Sequence, residues 1–124
     1  MPKASVTRLI ERDKAKLINF VLDIEKYPEF IPFCIDSKVY EKKEDNDVVN
    51  IIADLTIGKK PFVDTYKSDV KYIKNQDLIH VTNIDGPLNY LENNWKFVQK
   101  DKFTEVIFDV AVSYTHLRAH ETVA

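Results

Sequence analysis

Three histidines and one cysteine are the residues of this chain whose types suit metal or nucleophilic chemistry. His116 and His120 stand four apart with Glu121 beside them. On a helix that spacing puts two imidazoles on one face, as a zinc pair needs. His80 has a different setting. It alternates with Ile79 and Val81 in a β-type pattern, so it belongs on the face opposite theirs, toward solvent. Cys34 would need an adjacent base to act as a nucleophile. No local signature supplies one, and a lone buried cysteine usually serves as a small hydrophobe. The carboxylates Asp13, Asp23, Glu25 and Glu29 are spaced as solvent-facing helix and turn residues. Lys42-Lys43 and Lys59-Lys60 read as turn lysines at solvated sheet ends. No glycine-rich phosphate loop is present. The sequence thus offers no catalytic constellation, and the chain is read as a non-enzyme.

Bulk properties narrow the classes further. The 124 residues suffice for one domain with one core. The hydrophobic share of 44% and charged share of 31% are those of an ordinary globular protein. A formal net charge of −2 argues against a protein built to neutralise DNA phosphates. A single cysteine cannot close an internal disulfide, and no apolar run approaches membrane-spanning length. The simplest location is the cytoplasm. With only two glycines, tight turns must rely on Asn, Asp and Pro.

The elements that must position any site are arranged around Tyr27-Pro28-Glu29-Phe30-Ile31-Pro32-Phe33-Cys34. Two prolines push Tyr27 and Ile31 toward extended or turn geometry, with at most a short helical turn between them. The segment is too apolar for a surface loop, so it should lie against the core or a ligand. Before it, Lys3 to Ile10 alternates as a strand, and Asp13 is a plausible N-cap for a helix running to about Asp23. The helix carries Leu17, Ile18, Val21 and Leu22 on one face. After the segment the period becomes two. Ser37, Val39 and Glu41 alternate with Lys38, Tyr40 and Lys42. Val49, Ile51, Ala53, Leu55 and Ile57 share one strand face. Further strands are expected at 62–70, 78–85, 88–98 and 103–110, separated by polar turns and the Asp85-Gly86-Pro87 corner. This is an antiparallel meander of α+β class. One helix cannot cover such a sheet, so a second long helix is expected at the C-terminus.

The tail does not supply it. Residues 112–122 are similar to one reading frame of a transposase-type sequencing adapter. Residues 112–124 are therefore read as a fusion scar and 1–111 as the domain. The zinc-like spacing of His116 and His120 belongs to that scar, and no metal site is expected.

The inward sheet face is then the feature of interest. Tyr66, Trp95 and Phe97 could line a pocket there, with Asn83 interrupting an apolar row. On pattern alone, a filled core is the plainer reading.

Two blocks shift that balance. Tyr27 to Cys34, and Asp85-Gly86-Pro87 followed by Leu91, Trp95 and Phe97, resemble the coenzyme-Q-binding START-like family. That family includes the bacterial ribosome-association toxin and lies within the wider polyketide-cyclase and lipid-transfer superfamily. The similarity spans Lys3 to Val110, with Ser37, Val39 and Tyr40 in register. Phe33 stands where tryptophan is common, and Asn83 where an aliphatic residue is common. The resemblance implies a helix-grip fold: a strand, two short helices, a curved antiparallel sheet and a long final helix, which the tail reading expects to be missing here. It implies a ligand cavity formed by Phe30, Phe33, Ile51, Ala53, Leu55, Tyr66, Val81, Asn83, Leu91, Trp95 and Phe97. It also implies a polyprenyl quinone (ubiquinone-like) or other lipid as ligand, with no further cofactor. The role implied is carrier or chaperone for respiration, with peripheral contact at the inner face of the cytoplasmic membrane. A ribosomal subunit is the alternative partner, and a cyclase or hydrolase on the same fold is a third reading.

Overall fold

Period-two alternation from Cys34 onward produces six consecutive strands joined by short polar turns. The computed structural model describes residues 3–59, 61–86 and 88–114, and the side chains of Phe30, Leu88, Asn89 and Tyr114 lie outside that description. The strands are β1 (Lys3–Ile10), β2 (Cys34–Glu44), β3 (Val48–Lys59), β4 (Phe62–Ile73), β5 (Leu78–Asp85), β6 (Leu88–Lys100) and β7 (Phe103–Tyr114). They form one antiparallel sheet in the order β1-β7-β6-β5-β4-β3-β2. The first strand therefore closes on the last. Helix α1 (Lys14–Leu22), a single 3₁₀ turn (Ile24–Lys26) and the short α2 (Tyr27–Phe30) connect β1 to β2.

Register sets one inward row after another. Ile51 pairs with Val70, Val70 with Val81, Ile79 with Trp95, and Trp95 with Phe108. Val49, Ile51 and Ala53 are buried as expected, and Leu55 is half-buried. Ile57 shares their parity but is 37% exposed, near the end of β3 where the strand enters the β3–β4 hairpin. From the other side, Ile18 of α1 and Ile24 of the 3₁₀ turn complete the core. Asp13 stands at the N-cap without a side-chain cap bond, and its carbonyl accepts from Lys16 and Leu17. The helix start is tied to β6 instead, where Gln99 Oε1 accepts the Lys14 backbone N–H at 2.8 Å.

Three local expectations are corrected. Tyr27 is helical (φ −54°, ψ −39°), although it precedes a proline. The 3₁₀ turn runs straight into α2, Pro28 takes a first-turn position where its missing N–H costs nothing, and packing of the Tyr27 ring overrides the pre-proline preference. Ile31 is extended, as expected (φ −91°, ψ 118°). In β2 an irregularity between Val39 and Glu41 inverts the alternation, so Lys42 rather than Glu41 comes to face the Ile51 row. Last, β7 continues past Val110. Val112 pairs with Leu91 and Ser113 with Tyr90, because backbone pairing along β6 makes little demand on side-chain identity. The rest of the tail, including His116 and His120, lies outside the described residues, and with it the expectation that the long final helix is missing.

Candidate functional site

The smallest inward side chains meet at one place. Ala53 on β3 and Ser68 on β4 are registered partners, and Ser68 is in turn partnered by Asn83 on β5. Leu55 and Tyr66, the next pair along, and Ile51 and Val70, the pair before, are larger. The missing volume opens beneath α1 as an apolar cleft of two adjoining lobes, about 170 and 240 Å³, which share Val21, Tyr27 and Trp95 as walls. Together they reach the range of small-molecule sites, roughly 300–1,000 Å³. The first lobe is lined further by Ala53, Leu55, Ser68, Val81, Asn93 and Phe108, and the second by Leu17, Phe20, Ile31, Phe97 and Val106.

Trp95 is the partition between the lobes. Its ring tilts against Phe108 with centroids 4.6 Å apart, and its indole N–H donates to Asn93 Oδ1 at 3.1 Å. Tyr27 closes the opposite wall, its hydroxyl donating to the Val21 carbonyl near the end of α1. Burial first, then the nearby Asp23 and Cys34, push the Tyr27 phenol far above its ordinary pKa. It is therefore protonated at any physiological pH. Among the described walls of the cleft, Tyr27 is the one titratable side chain. A separate groove of about 330 Å³ near Lys42, Glu44 and Lys74 is polar and carries its own ion pair, Lys74 to Glu44 at 2.9 Å.

Over residues 10–119 the sequence matches the family described as polyketide cyclase / dehydrase and lipid transport. The chain belongs to that family. It is similar to the ribosome association toxin RatA of Rickettsia prowazekii, 28% identical over 112 residues, which cover 88% of this chain and 74% of that protein. It is also similar to the mitochondrial coenzyme Q-binding protein COQ10 of Dictyostelium discoideum, 28% identical over 102 residues. That match covers 75% of this chain and 48% of the relative, so the chain spans about half of that protein's length. A START superfamily protein from Mycobacterium smegmatis superposes with a TM-score of 0.77 at 16% identity, over 91% of this chain and 77% of its own. The curved seven-stranded sheet with few helices is thus the helix-grip fold of the family.

Within this family frame, the cleft gathers some of the residues read from the sequence and leaves others out. Ala53, Leu55, Val81 and Trp95 line the first lobe, and Trp95 and Phe97 the second. Ile51 is 1% exposed and packs in the core beside them. Tyr66, Asn83 and Leu91 are on the same sheet face but are not among the walls. Asn83 Oδ1 accepts the Leu91 N–H at 2.9 Å, just past Thr82–Glu92, the last registered pair of β5 and β6. Phe33 does not line the cleft. It is 64% exposed, and a φ of 65° turns it outward. The backbone of Phe30 ends α2, and its side chain lies outside the described residues.

Val21, Ser68, Asn93 and Phe108 are wall residues that the sequence did not single out for the site, whereas Tyr27 belongs to the apolar segment expected against the core or a ligand. The signal for Asn93 was its i, i+2 spacing from Trp95. For Ser68 no signal existed before its pairing with Ala53 was known. His80 faces outward, as expected, with Nδ1 2.6 Å from Asn94 Oδ1 and Nε2 3.4 Å from Glu92 Oε2. Cys34 is buried, and burial followed by the charge of Asp36 raises its thiol pKa, which suits a packing role. Among the described residues no cluster of three His, Cys, Asp or Glu could hold a metal, and no helix is long and apolar enough to cross a membrane.

Proposed function

We propose that this chain binds a lipid of the polyprenyl-quinone type in the two-lobed cleft and carries it without chemical change. The observation that supports this reading is the distribution of polarity in the cleft. Its walls are apolar apart from the Tyr27 hydroxyl, which the Val21 carbonyl holds, Ser68 on β4, and Asn93, which stands beside Trp95 on β6. A quinone head takes the lobe that holds Ser68 and Asn93, and the prenyl tail follows the apolar second lobe past Leu17, Phe20 and Ile31. Each isoprene unit gains about 3–4 kcal/mol on leaving water. A bilayer offers the tail nearly as much, so exchange with a membrane is close to balanced. Discrimination then rests on the head, because a hydrogen-bonding site rejects the wrong group far better than an apolar wall does. The similarity to the Dictyostelium coenzyme Q-binding protein supports the same ligand class. Tyr27 is protonated and already donates to Val21, so it offers no general base for a cyclase-type reaction.

Trp95 is the only tryptophan, so its fluorescence reports the cleft directly. Titration with a short-chain benzoquinone should quench it saturably. Asn93→Leu should weaken quinone binding about 2- to 10-fold, the worth of one hydrogen bond, and leave a plain polyprenyl hydrocarbon unaffected. Purely collisional quenching, linear in quinone and equal to that of free indole, would refute the reading.

A second reading is favoured by one observation: the chain covers more of the ribosome association toxin relative than of the coenzyme Q-binding one. On that reading the chain binds a ribosomal subunit through its surface. Co-sedimentation with purified subunits, unchanged by Asn93→Leu, would select it over the carrier role.

A further inference from the structure

The two ends of the sheet differ in character. At one end lie the turns at 44–47, 74–77 and 100–102, polar throughout, where Glu44, Asp45, Asp47, Asp77 and Asp101 outnumber Lys74, Lys100 and Lys102. At the other end, the segment entering β2 and the β3–β4 hairpin expose apolar side chains. Phe62 at the hairpin is 83% exposed and Phe33 is 64% exposed, with Ile31 and Ile57 beside them at 38% and 37%. The two loops are tied together, since Gly58 N–H donates to the Phe33 carbonyl at 2.8 Å and Cys34 pairs with Ile57. A bulky residue at φ 65° is rare, and here that conformation holds an aromatic ring in water rather than in the core.

Charge separates the ends as well. Residues 30–35 carry none, and within 55–63 the charged residues are Lys59 and Lys60. Three carboxylates flank the tip: Asp64 is partnered with Ile57, Asp36 with Thr56, and Glu29 stands on α2 two residues before Ile31. Asp85 is set further back, at a corner whose Gly86 packs against Thr65 and Tyr66. In a chain of net charge −2, this is an apolar tip with the exposed Lys59 at its edge.

We propose that this end is a docking surface for a lipid bilayer with anionic headgroups, with Phe33 and Phe62 inserting and Lys59 meeting the phosphates. Protruding rings on two separate loops suit a deformable medium, where a rigid partner would need a matching groove. Aromatic tips with lysines beside them are the composition of interfacial anchors. Ile31 belongs both to this tip and to the second lobe of the cleft, so a lipid could pass from bilayer to cleft along an apolar path. In giving the carrier a membrane surface, the proposal rests on the reading above, but it is testable without any quinone.

The test is sedimentation of the full chain with vesicles of phosphatidylcholine alone and of phosphatidylcholine with phosphatidylglycerol, neither containing quinone. The parent should bind the anionic vesicles more tightly. Phe62→Ser, and Phe33→Asn, which suits a positive φ, should each weaken binding at least about tenfold with unchanged thermal melting. Lys59→Gln should cost about fivefold on anionic vesicles only. Equal binding by parent and variants, or no binding by the parent, overturns the proposal. So does a parent that elutes as a dimer and becomes monomeric on Phe62→Ser, which would assign the patch to a second copy of the chain. Saturable quenching of Trp95 by free quinone in Phe62→Ser separates the two readings. If docking is lost and quenching kept, the docking surface stands apart from the cleft. If docking is intact and no variant is quenched saturably, the carrier reading fails and the docking surface survives.

Discussion

Removing the Tyr27 hydroxyl should produce a stability defect that disappears at high pH. In Tyr27→Phe the ring keeps its packing against the core, but the Val21 carbonyl loses the donor supplied by the phenol. Loss of that partly buried bond should cost about 1–1.5 kcal/mol near neutral pH. The parent carries an opposing liability. Its folded-state phenol is held above the ordinary value of 10, by burial first and then by Asp23 and Cys34. Above pH 10 the unfolded chain releases this proton while the folded chain retains it. Stability from this group is therefore complete below about pH 10 and lost as pH rises beyond it, at about 1.4 kcal/mol per pH unit. Phenylalanine has no such proton. The difference between parent and variant should thus shrink from about pH 10 and close near pH 11. Urea denaturation monitored by Trp95 at a series of pH values measures it, and lysine titration cancels because both proteins share it. A gap that stays constant from about pH 8 to 11 would mean that the phenol is solvated in the folded state.

Two further outcomes follow from the sheet. Ala53→Leu should fill the first lobe, since Ala53 and Ser68 together create it, and should abolish saturable quinone quenching while changing stability by less than about 2 kcal/mol; retained quenching would move the ligand elsewhere. Gly58→Ala should destabilise the β3–β4 hairpin by about 1 kcal/mol or more, seen as a lower urea midpoint. Gly58 has φ +137°, and an added Cβ would come within 2.1 Å of the Phe62 carbonyl oxygen, so an unchanged midpoint would contradict the hairpin geometry.

The sequence by itself determined the local elements and the faces of the regular strands, though not of β2, where the irregularity after Val39 reverses the alternation. Alternation is a property of neighbouring residues, so the inward set on β3 and the outward position of His80 could be read without coordinates. The same holds for the helix that follows Asp13, whose apolar spacing is local, and for the family, whose first aromatic and proline block, Tyr27 to Cys34, is contiguous. The tertiary structure decided what lay across strands. The cleft exists because Ala53 is registered against Ser68 at a distance of fifteen positions in sequence, and register follows from hairpin geometry rather than composition. Asn83 looked like the polar group of the site because it interrupts an apolar row. The fold spends its carbonyl on Leu91 and leaves Asn93, beside Trp95, to line the cleft. Phe33 looked buried because its neighbours are apolar. Its backbone, joined to Gly58, turns it out to the tip instead, since burial depends on the direction a Cβ points and not on the hydrophobicity of the segment.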